Sequence, residues 1–345
     1  MWTTSVPLRR DARLDAARTL AVIGMMAAHT SRLIPFDARP SWARLVLLFE
    51  PLIPSLFLLL VGLSLSRSFE AARMRGEASR AWYTRQARRA AGLWAISVLF
   101  FVAEYGVRIP DALLGGGILA VIAYAILGIG ALMLLPRASL LIGAAFVAGC
   151  ATFAWMDATG RALFPLNTGG APILPMTLFA LAGALLGRLR SGRRAAMWIL
   201  AVIGGGVAIW LITRHGAEAL FTKPFGRSDA GRDLPASILP RREALHVGFY
   251  DLKPVLATAC LGLQLSLLAV LGILLRNFPE RIARFAFAPG RHALAIYVGH
   301  LAFLAAVVTI FGEQPLTAVS GTWVWVGLIL VWQSAAFLLE QKKRV

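Results

Sequence analysis

The sequence predicts an all-α, polytopic membrane protein with about ten transmembrane helices. The chain has 345 residues, of which 58% are hydrophobic and only 15% charged, and its mean hydropathy is +0.71. A soluble domain is about 45–50% apolar and about 25% charged, so this composition indicates lipid as the solvent. The apolar residues also form runs close to the ~20 residues that a spanning helix needs. Soluble enzymes, disulfide-rich secreted domains and disordered regulators are therefore excluded.

Ten apolar runs, taken in order, are predicted to span the membrane. They lie at about 14–34, 44–66, 89–105, 112–134, 138–156, 172–187, 195–213, 254–275, 292–312 and 321–339. The sixth run is short, and Pro172 and Pro175 are placed to break it near its start. No run alternates like a strand and no internal repeat is visible, so residues 1–345 are predicted to form one integral-membrane domain.

Charge predicts the orientation of these spans. The formal net charge is +18, and the basic residues lie between the apolar runs, which favours a topological explanation over a nucleic-acid partner. With the N-terminus inside, about 22 basic residues lie in inner segments, about 5 in short outer segments and about seven in one long outer loop. The prediction is N-in and C-in. The first run carries Asp15 and Arg18 and no clear small-residue cleavage site, so we expect no cleavable signal peptide.

Two polar segments have two interpretations each. The long extracytoplasmic loop, 214–253, is rich in Gly, Pro and charge and contains aromatic residues. It is either a flexible surface loop or a lid and acceptor-binding element over a site that opens outward. The inner segment 67–89 is basic. It either contacts anionic lipid or receives a polyanionic cytosolic substrate.

Ionisable residues inside the first span are candidates for function because lipid makes them costly. Arg18 and His29 are eleven residues apart, about three helical turns, so they share one helix face about 16 Å apart. Asp15 lies one turn before Arg18 and is placed to pair with it. The structural alternative is that Arg18 snorkels to the inner headgroups while His29 hydrogen-bonds a neighbouring helix.

The second predicted span adds Glu50, followed by Pro51 and Pro54, which loosen the helix. His29 and Glu50 each lie roughly 8–9 Å below the outer ends of their predicted spans. At matched depth they are candidates for a base and its orienting carboxylate. Two other interpretations stay open: Glu50 caps a kink, or it pairs with an arginine such as Arg44.

The ninth and fourth spans contribute further candidates. In the ninth, Tyr297 lies one turn before His300, which is near the predicted midplane, and His292 is at the inner end. The fourth opens with glycines at 115–117, which fit close helix packing or an unwound segment along a cavity. Cys150 and Cys260 define no metal site, and neither a G-x-S-x-G nor an H-E-x-x-H motif is present. We expect no metal.

Four stretches resemble known membrane acyltransferases. The spacing of Arg18 and His29 within LDAARTLAVIGMMAAH resembles the R-x10-H motif of the membrane acyltransferase 3 superfamily. PSLFLLLVGLSLSRSF and GGGILAVIAYAILG resemble helices of the heparan-α-glucosaminide N-acetyltransferase catalytic family. ALAIYVGHLAFL is similar to the late L-x-x-Y-x-x-H helix of the same clan. The likeness covers about residues 1–135 and a block at 291–304.

The resemblance implies an acyltransferase in a bacterial-type inner membrane. Such an enzyme takes an acyl group, here acetyl, from cytosolic acyl-CoA and passes it to an extracytoplasmic glycan or other acceptor. By position, His29 would be the catalytic histidine and Arg18 its motif partner. The residues that would lie near the phosphates of CoA are Arg85, Arg88 and Arg89.

One departure from the family limits what can be carried over. Arg39 begins an Arg-Pro-Ser-Trp stretch where animal members have His-Ala-Ser-Trp, so the heparan acceptor cannot be transferred to this chain. His29 could act as a general base or could carry the acetyl group itself. Two rival functions remain: a transporter or exporter of an anionic or lipid-linked solute, and a membrane scaffold without catalysis.

Overall fold

The structure is a computed structural model, and the regular secondary structure of the residues that it describes is helical. It describes residues 11–107, 109, 111–114, 117–161, 163, 165–166, 171–189, 194–216, 253–312 and 315–342. Within these ranges there is no strand, which confirms the all-α prediction. Most of the predicted long loop, at 217–252, lies outside the described residues, as do Gly115 and Gly116.

Each of the ten predicted spans overlaps one of the long helices in the described ranges. These are α1 (Ala12–Arg32), α3 (Leu52–Met74), α4 (Ser79–Tyr105), α6 (Ile118–Leu134), α7 (Ala138–Thr159), α8 (Ile173–Gly187), α9 (Arg194–His215), α10 (Pro254–Leu274), α13 (Ala293–Phe311) and α14 (Ala318–Lys342). Shorter helices connect them: α2 (Ser41–Leu48), α5 (Asp111–Leu114), α11 (Glu280–Ala286), α12 (Ala288–Arg291) and a 3₁₀ turn at Phe36–Ala38.

Six helices of the described chain are long and apolar enough to cross a membrane: α3, α7, α9, α10, α13 and α14. Two more apolar helices, α6 and α8, are shorter, at 17 and 15 residues. The remaining two, α1 and α4, carry several charged residues each. The chain is therefore an integral membrane protein, because each of these six helices has an apolar stretch long enough to cross a bilayer.

The prediction of one continuous span over 44–66 is wrong, because two helices meet within this range. The chain stops being helical after Leu48, passes through a turn at Glu50 and Pro51, and resumes as α3 at Leu52. Pro51 and Pro54 have no N–H to continue the preceding hydrogen bonds, so a new helix begins here instead of one span running through. Glu50 consequently lies in a turn between two helices and not within a span.

Helix α1 is packed between two apolar cores. Leu14, Ala17 and Ala21 belong to a large cluster with α3, α6, α8 and α10. Val22 and Met26 belong to a smaller cluster with residues of α13 and α14. Because both sides of α1 are covered by protein, its polar side chains must find partners on neighbouring elements.

Helices α3 and α8 cross with their backbones in close contact. A Cβ atom on Gly62 would lie 1.8 Å from the carbonyl oxygen of Ala180, and one on Gly183 would lie 1.9 Å from that of Leu59. Ser66 donates a hydrogen bond to the carbonyl oxygen of Ala184, at 2.8 Å. Small residues spaced four apart let helix backbones approach in this way in membranes.

An ion-pair network ties the start of α1 to the end of α14. Asp15 accepts hydrogen bonds from Arg18 and Arg291, each at 3.0 Å. Arg291 also pairs with Glu340 at 3.1 Å, and His292 contacts the other oxygen of Glu340 at 3.2 Å. The Asp15 side chain is only 2% exposed, so removing a partner would leave a buried charge uncompensated.

A second acidic residue caps α1 at the same end. Asp11 accepts hydrogen bonds from the backbone N–H and side chain of Arg13 and from Arg67. Burial alone would raise the pKa of Asp11, but the two arginines outweigh it and lower this pKa from 3.8 to about 2. The start of α1 is thus held by charge on both α3 and the α12–α14 region.

The α3–α8 crossing predicts a stability difference between two glycine substitutions. Gly183→Ala should destabilise the protein by about 1–3 kcal/mol, because the added methyl group meets the backbone of α3. The measurement is the thermal unfolding midpoint in detergent. Gly128→Ala on α6 is the control, since no atom lies within 4 Å of its Cβ position. Equal midpoints for the two variants would contradict the packing described.

Candidate functional site

The turn before α3 brings a carboxylate to the end of α1. Glu50 is buried, with 6% exposure, and forms an ion pair with Arg32 in the last turn of α1. Its backbone carbonyl accepts a hydrogen bond from the N–H of Ile53 at 3.0 Å, which fixes the turn. The partner of Glu50 is therefore Arg32, and neither of the expected partners, Arg44 and His29, bonds to it.

His29 and His300 are joined by a direct hydrogen bond. The Nδ1 atom of His29 lies 2.8 Å from the Nε2 atom of His300, and the two ring planes are 9° apart. His300 is completely buried. Residues 271 positions apart thus meet, because α13 packs against α1.

The hydrogen bonds of His300 determine which nitrogen of His29 carries the proton. The Nδ1 atom of His300 lies 2.8 Å from the carbonyl oxygen of Ile296, which can only accept. His300 therefore donates from Nδ1 and, as a neutral ring, accepts at Nε2. His29 must then donate from Nδ1, which in the neutral ring leaves its Nε2 atom with a lone pair. A neighbour that selects a histidine tautomer is typical of catalytic bases.

A small cavity opens beside this pair. Its volume is about 50 Å³. Three polar residues line it, His29, Glu50 and Tyr297, and the rest of the wall is apolar: Met25, Ala28, Ile53, Pro54, Phe57 and Ile118. An apolar wall with a few convergent polar groups is typical of a site for a small ligand group.

Five elements build the cavity wall, and α3 contributes Ile53, Pro54 and Phe57. His29 comes from α1, Glu50 from the turn before α3, Ile118 from the first turn of α6 and Tyr297 from α13. The Tyr297 ring packs edge-on against His300, with 5.8 Å between ring centroids. Gly117 has a φ of 91°, which suits glycine, and so starts α6 at the cavity.

Of the sequence candidates, Arg18 lies away from this cavity. It donates hydrogen bonds to Asp15 at 3.0 Å and to Ser64 of α3 at 2.5 Å. Arg18 and His29 are three turns apart on α1, so one side chain cannot reach the other. Its place is in the ion-pair network at the opposite end of the helix.

The candidate phosphate-binding arginines lie on the exposed face of α4. Arg85, Arg88 and Arg89 are all exposed. Arg85 pairs with Glu77 at 2.5 Å, and this hydrogen bond lowers the pKa of Glu77. None of the three lines the cavity, so a donor that reached both places would have to extend between them.

Sequence reasoning missed Arg32 and the apolar part of the wall. Arg32 is one turn beyond His29, so the helical period could have suggested it as a neighbour of the site. Nothing local indicates that it pairs with Glu50, since that depends on the turn before α3. Among the described residues, no group of three His, Cys, Asp or Glu side chains is arranged to hold a metal ion.

A comparison with family models gives one match. Residues 10–222 match the family described as heparan-alpha-glucosaminide N-acetyltransferase, catalytic, which confirms the resemblance found in the motifs. The matched part includes His29, Arg32 and Glu50 and is more than half of the chain, while Tyr297 and His300 lie beyond its end. No curated protein matches the chain.

The paired histidines predict a single tautomer at His29. The sequence has five histidines, so selective ¹⁵N labelling with single substitutions assigns each signal in a nitrogen NMR spectrum. We expect His29 to be protonated at Nδ1 in the unsubstituted protein. His300→Phe should shift the spectrum toward a mixture of tautomers, because the acceptor is lost. His215→Gln, at the exposed end of α9, is the control. A His29 ring protonated at Nε2 would contradict the assignment.

Proposed function

The chain belongs to the heparan-α-glucosaminide N-acetyltransferase catalytic family, and on that premise we propose that it transfers an acetyl group from acetyl-CoA to an extracytoplasmic sugar. The observation that carries this proposal is the His29–His300 hydrogen bond, 2.8 Å long, beside a cavity with room for a small group. It gives His29 a defined acceptor nitrogen where a base is needed.

The proposed topology has ten spans, with both termini on the cytosolic side of a bacterial-type inner membrane. Two observations support it. The basic residues of short loops concentrate on one side, as the positive-inside rule requires. The ion pairs that link Asp15, Arg291 and Glu340 also bring the start of α1 and the end of α14 together. In the proposed topology the His29 end of α1 lies toward the outer side.

In the proposed reaction His29 is the catalytic base and transfer is direct. The Nε2 atom of His29 takes the proton of the acceptor as the acceptor attacks the thioester carbonyl carbon. His300 keeps the tautomer that makes Nε2 available. Glu50 and Tyr297 line the same cavity and are proposed to hydrogen-bond and orient the acceptor.

The donor is proposed to enter from the basic inner face. CoA carries phosphates, which arginine binds through its planar fork of donors. Arg85, Arg88 and Arg89 stand exposed on α4 and are proposed to contact these phosphates. Arg18 is proposed to be a positioning residue. Its hydrogen bonds to Asp15 and Ser64 fix α1 against α3 and so set the depth of His29.

The acetyltransferase proposal predicts a large loss of rate in His29→Ala. Purified protein in nanodiscs with labelled acetyl-CoA and a panel of sugar acceptors should show CoA release that falls about 10²–10⁴-fold in the variant, because a general base is worth that much. His215→Ala is the control, because that residue is exposed on α9. A well-folded His29→Ala variant with unchanged transfer would refute the assignment. Gradient-driven solute flux without thioester cleavage would indicate a transporter instead.

The donor site predicts a separate binding defect. The triple variant R85A/R88A/R89A should bind CoA about tenfold more weakly or worse in a thermal-shift titration, because charge-assisted hydrogen bonds to phosphate are lost. R73A/R276A/R281A removes three other exposed arginines and is the charge-matched control. If both triple variants lose the same affinity, general electrostatic attraction accounts for binding. If neither loses affinity, the donor phosphates bind elsewhere.

A further inference from the structure

The Arg32–Glu50 ion pair bears on which acceptor group the cavity admits. Glu50 is the one carboxylate among the described residues that line the cavity, and Arg32 already neutralises it. The Glu50 side chain is 8% exposed, so solvent contributes little to balancing the charge of this carboxylate. The carboxylate that would otherwise attract a cationic substrate is therefore already compensated within the protein.

A second arginine adds positive charge at the same end of α1. Arg39 is 7% exposed, and its Nε atom donates to the carbonyl oxygens of Ser31 at 3.1 Å and Ile34 at 3.2 Å. Among the residues that the structure describes, the buried or half-buried charged groups near this end include two guanidinium groups, Arg32 and Arg39, and one carboxylate, Glu50. Asp37 and Arg44 in the same stretch are exposed.

An amino sugar would enter this environment at a disadvantage. Amines with a pKa near that of an α-amino group, about 7.7–8.0, are mostly protonated at pH 7. An ammonium group in the cavity would meet a Glu50 carboxylate already paired with Arg32, together with His29, Tyr297 and apolar residues such as Met25 and Phe57. Desolvating a charge without a counter-ion is costly, whereas a hydroxyl group needs only a hydrogen bond.

From this arrangement we propose that the acceptor is a neutral sugar hydroxyl, so that the product is an O-acetyl ester, and that Arg32 is the positioning residue that sets this preference. The inference rests on the proposed acetyltransferase function and specifies its acceptor. The hydroxyl oxygen bonds to the thioester carbonyl carbon while its proton passes to Nε2 of His29. The carbon–sulfur bond breaks with its electron pair on sulfur, and His29 returns the proton to the thiolate, which leaves as CoA.

The test compares two acceptors that differ in one group. Purified protein in nanodiscs receives labelled acetyl-CoA with methyl β-glucoside or methyl β-glucosaminide at pH 7, and mild alkali separates labile esters from stable amides. We expect ester to form on the glucoside and a kcat/KM at least about tenfold lower for the amine. A preference for the amine would overturn the inference. The absence of any acetyl transfer would instead refute the proposed function on which it rests.

Substitutions at Arg32 distinguish selection from folding. Arg32→Gln frees the Glu50 carboxylate and should raise use of the amine relative to the hydroxyl about tenfold or more, mainly through a lower KM for the amine. Arg32→Lys keeps the charge and should keep the hydroxyl preference. The double variant R32Q/E50Q should lose the gain, because the freed carboxylate is gone.

These outcomes remain decisive if one variant is unstable. An Arg32→Gln protein that folds and keeps the original ratio would overturn the role of Arg32. If Arg32→Gln does not fold, the hydroxyl preference of the unsubstituted protein and its retention in Arg32→Lys test the inference. An Arg32→Lys variant that folds and switches to the amine would overturn it.

Discussion

Helix α1 carries ionisable side chains into an apolar bundle, and the need to give each of them a partner organises the structure around it. Asp15 pairs with Arg291 and His29 with His300, both across to the C-terminal helices. Arg18 reaches Ser64 on α3, and Arg32 reaches Glu50. Because an unpaired charge or polar group is costly in this environment, these contacts set the depth and rotation of α1.

The two ends of α1 therefore differ: one is held by ion pairs and the other lines a cavity. At the Asp15 end the groups are tied to each other, and Arg18 with Arg291 holds the helix in place. At the other end His29, Tyr297 and Glu50 leave a cavity between them. The family match ends at residue 222, yet from beyond it Tyr297 lines the cavity and His300 bonds to His29, so α13 contributes to the same candidate site.

The sequence predicted the helices well and their interruptions less well. Each predicted apolar run overlaps one of the long helices in the described ranges, and six of these helices are long and apolar enough to cross a membrane. The predicted second span failed at Glu50, because hydropathy continues smoothly across a turn that Pro51 and Pro54 impose on the backbone. His29, Glu50, Tyr297 and His300 could be selected individually, as polar residues that an apolar environment should exclude.

By itself the sequence determined the solvent, the helical class, the family and the short list of ionisable residues, because these follow from composition, run length and local spacing. Only the tertiary structure decided the pairs: His300 rather than Glu50 beside His29, and Arg32 rather than Arg44 beside Glu50. The physical reason is that a hydrogen bond between α1 and α13 joins residues 271 positions apart. The spacing of residues along one helix does not encode which face of another helix will pack against it.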